Sequence, residues 1–141
     1  MIDANVAVRA VLHVLDEPLA ARRMAEWRRQ GAQLVAPALW LSEVATSVRR
    51  EWHAGVIREE QAHRALEYLL LLGIELVPMT ADHARSALRW AARVRQSRAH
   101  DGFYLAVAEE LGTELWTADQ RLANAAQAAG AGWAHWIGEP S

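Results

Sequence analysis

The sequence predicts an α/β layered fold with a mostly parallel sheet. Three observations carry that reading. Short apolar, β-like pieces recur along the chain, and helical apolar patterns separate them. Alanine is abundant, while only 8 glycines and 4 prolines punctuate 141 residues, so the intervening stretches favour helix. No low-complexity segment, internal repeat or linker interrupts the pattern, and residues 1–141 read as one domain large enough to bury a core.

The β-like pieces are Ile2 with whatever precedes it, then 34–36, 74–77, 115–117 and 133–137. Each is too short to stand alone and fits a strand buried in a parallel sheet. The first is unusual. A central parallel strand takes about five or six residues, yet only Met1 and Ile2 precede Asp3. Either that strand is clipped or the true start lies upstream.

Helices are predicted between these pieces. About 17–30 carries Leu19, Met24 and Trp27. About 39–54 places Leu41, Val44, Ala45, Val48 and Trp52 on one face. About 59–72 ends at Gly73, a C-terminal glycine. About 80–97 opens on Thr80, an N-cap residue, and is expected to bury Ala84, Leu88, Ala91 and Val94. About 101–111 carries Tyr104, Leu105, Val107, Ala108 and Leu111 before Gly112, and about 120–129 stops at Gly130.

Composition excludes several chemistries. The formal charge is −2, and all 15 basic residues are arginine. Without lysine there is no P-loop and no Schiff-base chemistry, and a phosphatase of another α/β family becomes a poor fit. Without cysteine there is no disulfide, thiolate metal site or thiol nucleophile. The N-terminus has no basic, apolar leader pattern, and no apolar run is long enough to span a membrane, so the expected compartment is the cytoplasm.

In open α/β sheets, ligands sit beyond the carboxyl ends of the strands. Asp3 directly follows the first β-like piece, and Asp119 follows 115–117 after one residue. Asp101 opens a helix, with Tyr104, Leu105 and Ala108 on its face at i+3, i+4 and i+7. Glu43 sits in the early turns of the helix after the second strand, at the border of its buried face. Each has an ordinary structural reading: Asp119 and Asp101 as helix caps, Glu43 as a solvated residue. Asp3 is harder to place without a partner, because a carboxylate at a buried strand end is costly. Four converging carboxylates would repel one another, and their natural companion is a hard divalent cation such as Mg²⁺, with Mn²⁺ possible.

The words around these residues carry a resemblance. Ile2-Asp3-Ala4-Asn5-Val6, Leu41-Ser42-Glu43-Val44, Asp101-Gly102-Phe103-Tyr104-Leu105-Ala106-Val107-Ala108 and Thr117-Ala118-Asp119-Gln120-Arg121-Leu122, in that order, resemble the signature of PIN domains. The likeness is strongest to the VapC-like toxins of type II toxin–antitoxin pairs. It implies a three-layer α/β/α PIN-like domain with a short, mostly parallel central sheet, and metal-dependent hydrolysis of RNA phosphodiester bonds. Asp3 and Asp101 match the family's main metal-binding aspartates, and Glu43 and Asp119 the acidic positions that complete the site. Asn5 and Thr117 match small polar positions that orient those groups or water. A homodimer and a cognate antitoxin are implied as partners. A housekeeping PIN nuclease in RNA processing and a non-catalytic RNA- or protein-binding module remain as alternatives.

Arginines and aromatics add weaker signals. Arg85, Arg89 and Arg93 recur at i, i+4 and i+8, and Arg95 and Arg98 continue toward Asp101. They read either as a solvated face or as a phosphate-contacting ridge. Arg22, Arg23, Arg28 and Arg29 form a second cluster. His100 adjoins Asp101, but no zinc-type histidine spacing exists. Of the 7 tryptophans, most belong in a core, with Trp40 and Trp52 alternatively facing a partner. The run from Tyr68 to Leu72 is either deep core or part of a groove for an antitoxin helix.

Overall fold

The computed structural model describes residues 1–12 and 18–140. Eleven elements follow in order among them: α1 (Ala4–Leu12), α2 (Leu19–Arg29), β1 (Val35–Pro37), α3 (Trp40–His53), α4 (Glu59–Leu70), β2 (Glu75–Val77), α5 (Ala81–Arg93), α6 (His100–Leu111), β3 (Leu115–Thr117), α7 (Gln120–Ala128) and β4 (Ala134–Trp136). Glu17, where the first predicted helix opens, lies outside the described residues.

The strands pair in parallel as β1 with β2 and β3 with β4. Residues 1–3 join the two pairs. Ile2 bridges Trp116 in parallel, its amide donates to Val35 O at 3.0 Å, and the Trp116 amide donates to Met1 O at 2.9 Å. The sheet therefore runs β2, β1, residues 1–3, β3, β4, with the N-terminal segment at its centre. From there the chain departs to β1 on one side and β3 on the other, so the strand order reverses at Asp3. The first strand is reduced to a single bridging residue. Ile2 nevertheless is wholly buried, as are Leu115 and Ala36 beside it.

Helices cover both faces, giving three α/β/α layers. One group gathers α2, α3 and α4 around α1; in the other α5 lies along α6, and α6 packs on β1 and β3. The sequence reading placed no helix at α1. This stretch is only nine residues long and carries three β-branched valines, which weigh against helix. A local signal did exist: the Asn5 amide donates to Asp3 Oδ1 and the Val6 amide to Asp3 O, an aspartate starting a helix.

Thr80 caps α5 as expected, accepting from the His83 amide at 3.1 Å while His83 Nδ1 accepts from the Thr80 amide. The buried face of α5 differs from expectation. It consists of His83, Ala87, Trp90 and Ala91, whereas Leu88 is 70% exposed and Ala84 is exposed too. The bulk of Trp90 decides the helix's rotation. It stacks edge-on against Trp133 and donates to Glu109. The helix also ends at Arg93 instead of 97, because Arg95 takes a left-handed conformation at φ 58°.

Trp40 is core, and Trp52 is half-buried beneath Arg49 and beside His63. Within the 68–72 run only Leu69 is fully buried; Tyr68 and Leu71 are 57% and 78% exposed. Buried Arg23 has a structural task. It donates to Ile137 O at 2.9 Å and to Glu139 O, and lies over the Trp116 ring, fastening the C-terminal segment. No helix among the described residues is long and apolar enough to cross a membrane.

Candidate active site

All four predicted carboxylates lie at the carboxyl edge of the sheet. Asp3 ends the central segment, and it is 4% exposed. Two groups hold it: the Thr117 hydroxyl donates to Oδ2 at 2.8 Å, and the Asn5 amide donates to Oδ1 at 3.3 Å. Thr117, at the end of β3, also accepts from the Asp119 amide at 3.0 Å. One buried hydroxyl thus links two of the acids. Asp119 is the N-cap of α7, its Oδ1 accepting from the Arg121 and Leu122 amides at 2.9 and 3.2 Å. The capping reading of Asp119 and its place in the cluster are both true, because capping uses only one carboxylate oxygen.

Asp101 stands in the first turn of α6, half-buried, and makes no capping bond. Glu43 is half-buried in the first turns of α3, not solvated. Asn5 contributes through its amide, while its side chain lies on an exposed residue. His100 is exposed and makes no hydrogen bond among the described residues.

The acids feel one another's charge. Burial pushes the Asp3 carboxyl above the usual carboxylate range, against the Thr117 and Asn5 bonds, and Asp119 adds to the rise. Glu43 is pushed up to about 7, first by burial, opposed by the Tyr104 hydroxyl and assisted by Asp3 and Asp101. Asp101 is pushed up to about 6 by burial and then by Asp3 and Asp119. Such shifts mark carboxylates gathered without a counter-charge.

Tyr104 belongs to this site, a placement the sequence reading missed by assigning it to the core. It is 1% exposed, and burial, then Asp3 and Glu43, raise its pKa. Its hydroxyl lies near enough to the Glu43 carboxyl to act on its ionisation, though the two buried groups fall outside hydrogen-bond geometry. The available signal was its position, one turn after Asp101 on the inward face of α6.

The arginine ridge is placed differently from the acids. Arg85 pairs with Asp82 at 2.6 Å, while Arg93 stacks on Trp90 at 4.2 Å and donates to Ala129 O, past the far end of α7 from Asp119. Arg89 is exposed and makes no ion pair among the described residues.

The residues present fit a hard divalent cation. The candidate donors are all oxygens, and the orphaned Glu43 Oε1 lacks a positive or hydrogen-bonding partner. Among the described residues, no three acid or imidazole groups are placed to hold one ion together, so the fit is one of donor type and not of ligating distances.

Fold and site together define a class: parallel-sheet domains that collect carboxylates at the strand ends, at the point where strand order reverses. The PIN domain family model matches residues 1–128, and the chain belongs to that family. PIN domains are generally nucleases and typically use divalent metals. A search of curated proteins finds no significant match.

Proposed function

We propose that this chain is a metal-dependent endoribonuclease and the toxin of a type II toxin–antitoxin pair, of the VapC-like kind. One observation carries the nuclease reading: at the sheet's carboxyl edge the charges of Asp3, Asp101 and Asp119 add to the rise that burial gives the carboxyls of Asp3, Glu43 and Asp101, and Glu43 Oε1 is buried outside hydrogen-bond geometry. Asp3 and Asp101 are the principal ligands for Mg²⁺ or Mn²⁺, with Glu43 and Asp119 completing the set. The bound cation would lower the pKa of water and neutralise charge on the phosphate.

The chain's own groups do the rest. Thr117 and the Asn5 amide fix the Asp3 carboxylate in one orientation. The attacking water gives up a proton to a carboxylate of the cluster, Asp119 or Glu43. Its oxygen bonds to phosphorus as the bond to one ribose oxygen breaks, and that ribose oxygen leaves with a proton taken from solvent. No protein nucleophile is required, in keeping with a chain without cysteine.

The antitoxin and a homodimer follow from the VapC-like resemblance. An apolar groove lined by Val11, Tyr68 and Leu71 supplies a surface suited to an antitoxin helix.

Purified protein should cleave RNA with added Mg²⁺ or Mn²⁺ and stop in EDTA. Asp101→Asn should abolish cleavage while leaving the melting temperature equal or higher, since it removes a like charge. Cleavage that persists in chelator, or in Asp101→Asn, overturns the reading. Growth arrest on induction, relieved by a co-expressed neighbouring small gene, separates the toxin role from housekeeping.

A further inference from the structure

We infer that the seam between α1 and α3 is the track for the RNA strand, with Arg9 and Arg50 gripping a phosphate next to the one cleaved. This rests on the nuclease reading above. Two helical stripes meet along that seam. On α1, Asn5 and Arg9 are i, i+4, and the stripe begins two residues after Asp3. On α3, Glu43, Ser47 and Arg50 are i, i+4, i+7, so this stripe begins at a site carboxylate. The helices pack on each other, and a crevice of about 160 Å³ opens between them, lined by Asn5, Arg9, Ser47, Arg50 and Glu51 among others.

Charge and spacing suit a phosphodiester. Both arginines are exposed, and neither makes an ion pair among the described residues. Among the described residues that line it, two guanidiniums stand against one carboxylate, Glu51. Each guanidinium offers a planar fork of donors for phosphate oxygens, and Ser47 adds a hydroxyl. At 1.5 Å of rise per residue, Arg50 lies about 10 Å along α3 from Glu43. A strand whose scissile phosphate sits among the acids therefore passes its neighbouring phosphates over these side chains. The α5 ridge is a weaker rival, since Arg85 and Arg93 already have partners.

The test uses the full chain carrying Asp101→Asn, so that RNA binds without being cut. Anisotropy of a fluorescein-labelled single-stranded RNA is titrated in Mg²⁺ across a salt series. Arg9→Gln and Arg50→Gln are each expected to weaken binding by about tenfold. Each should also reduce the slope of log Kd against log salt by about 0.7. The matched pair Arg85→Gln and Arg89→Gln should leave both quantities unchanged. Equal weakening by the α5 pair, or full affinity without Arg9 and Arg50, overturns the track. RNA binding absent from the parent chain itself removes the nuclease reading, and the track with it. Thermal melts of every variant show whether the exposed substitutions leave the fold intact.

Discussion

At the scale of single residues, Thr117 carries more than its size suggests. Its hydroxyl donates to Asp3 Oδ2 and accepts from the Asp119 amide, while its side chain is 1% exposed. Replacing it with valine keeps the shape but leaves the Asp119 amide without its acceptor and Asp3 without its stronger donor. Thr117→Val should cost about 1–3 kcal/mol, read as a lower urea midpoint at unchanged slope. Activity should fall further than stability explains, by about 10–100-fold, because the bond that orients Asp3, the carboxylate proposed to bind metal, is lost. Full activity with a lowered midpoint would assign Thr117 to folding alone. Tyr104 teaches the complementary lesson. Read by periodicity it is a core aromatic, and it is one, but its hydroxyl ends among the acids. Apolar patterning locates the ring and is silent about the atom at its tip.

Elements are held in place by a few close approaches, and Gly102 makes the tightest. It follows Asp101 in the first turn of α6, and a Cβ there would overlap the Ala87 carbonyl oxygen of α5. Only glycine allows the two helices to lie this close, which seats the first turn of α6 and so Asp101. Gly102→Ala should therefore force α5 and α6 apart at a cost of about 1–3 kcal/mol or more, measured by urea unfolding. It should also reduce metal-dependent activity by moving Asp101. Sequence reading placed α3, α4, α6 and α7 within a few residues, from the apolar faces of α3 and α6 and from the glycines that end α4 and α7, and it found β3 from its apolar word. It missed α1, a nine-residue helix with three β-branched valines that begins directly after Asp3. On α5 it was half right: Ala91 and Val94 are buried as expected, but Leu88 and Ala84, which extend the apolar stripe in the sequence, are exposed while Trp90 and His83 carry the contacts. The four acids were legible because strand ends are where an α/β sheet leaves room for ligands. Arg9 was not, because its helix was not.

The whole molecule has a formal charge of −2, yet that total conceals a division. Setting aside the four site carboxylates leaves 13 acids against 15 arginines, so an acidic cluster sits in a chain that is otherwise mildly basic. The division makes stability depend on pH and metal together. Glu43 and Asp101 have folded pKa values of about 7 and about 6, above their ordinary 4.5 and 3.8. Between those limits the folded chain holds protons that the unfolded chain has released, so raising the pH through this window lowers stability. Glu139 works in the opposite sense. Burial there is outweighed by bonds from the Trp136 amide, His135 and Gln127, which hold its pKa below the usual range. Its stabilisation is lost as pH falls from the ordinary 4.5 to that lowered value, below the comparison. The Met1 amino group, pushed from 8.0 down to about 6 by burial, does act inside it, adding stability as pH rises between those values and offsetting part of the loss. In EDTA, therefore, the chain should melt at a higher temperature at pH 5 than at pH 8, and Glu43→Gln or Asp101→Asn should flatten the difference. Saturating Mn²⁺ should raise the melting temperature most at pH 8, where the carboxylates are ionised and their repulsion is greatest. At a hundredfold excess over its Kd, a ligand bound only by the folded state adds about 2.7 kcal/mol. A pH dependence identical in the parent chain, Glu43→Gln and Asp101→Asn would mean that these two carboxyls are not raised in the folded state. A melting temperature indifferent to Mn²⁺ would mean that the cleft does not hold the ion.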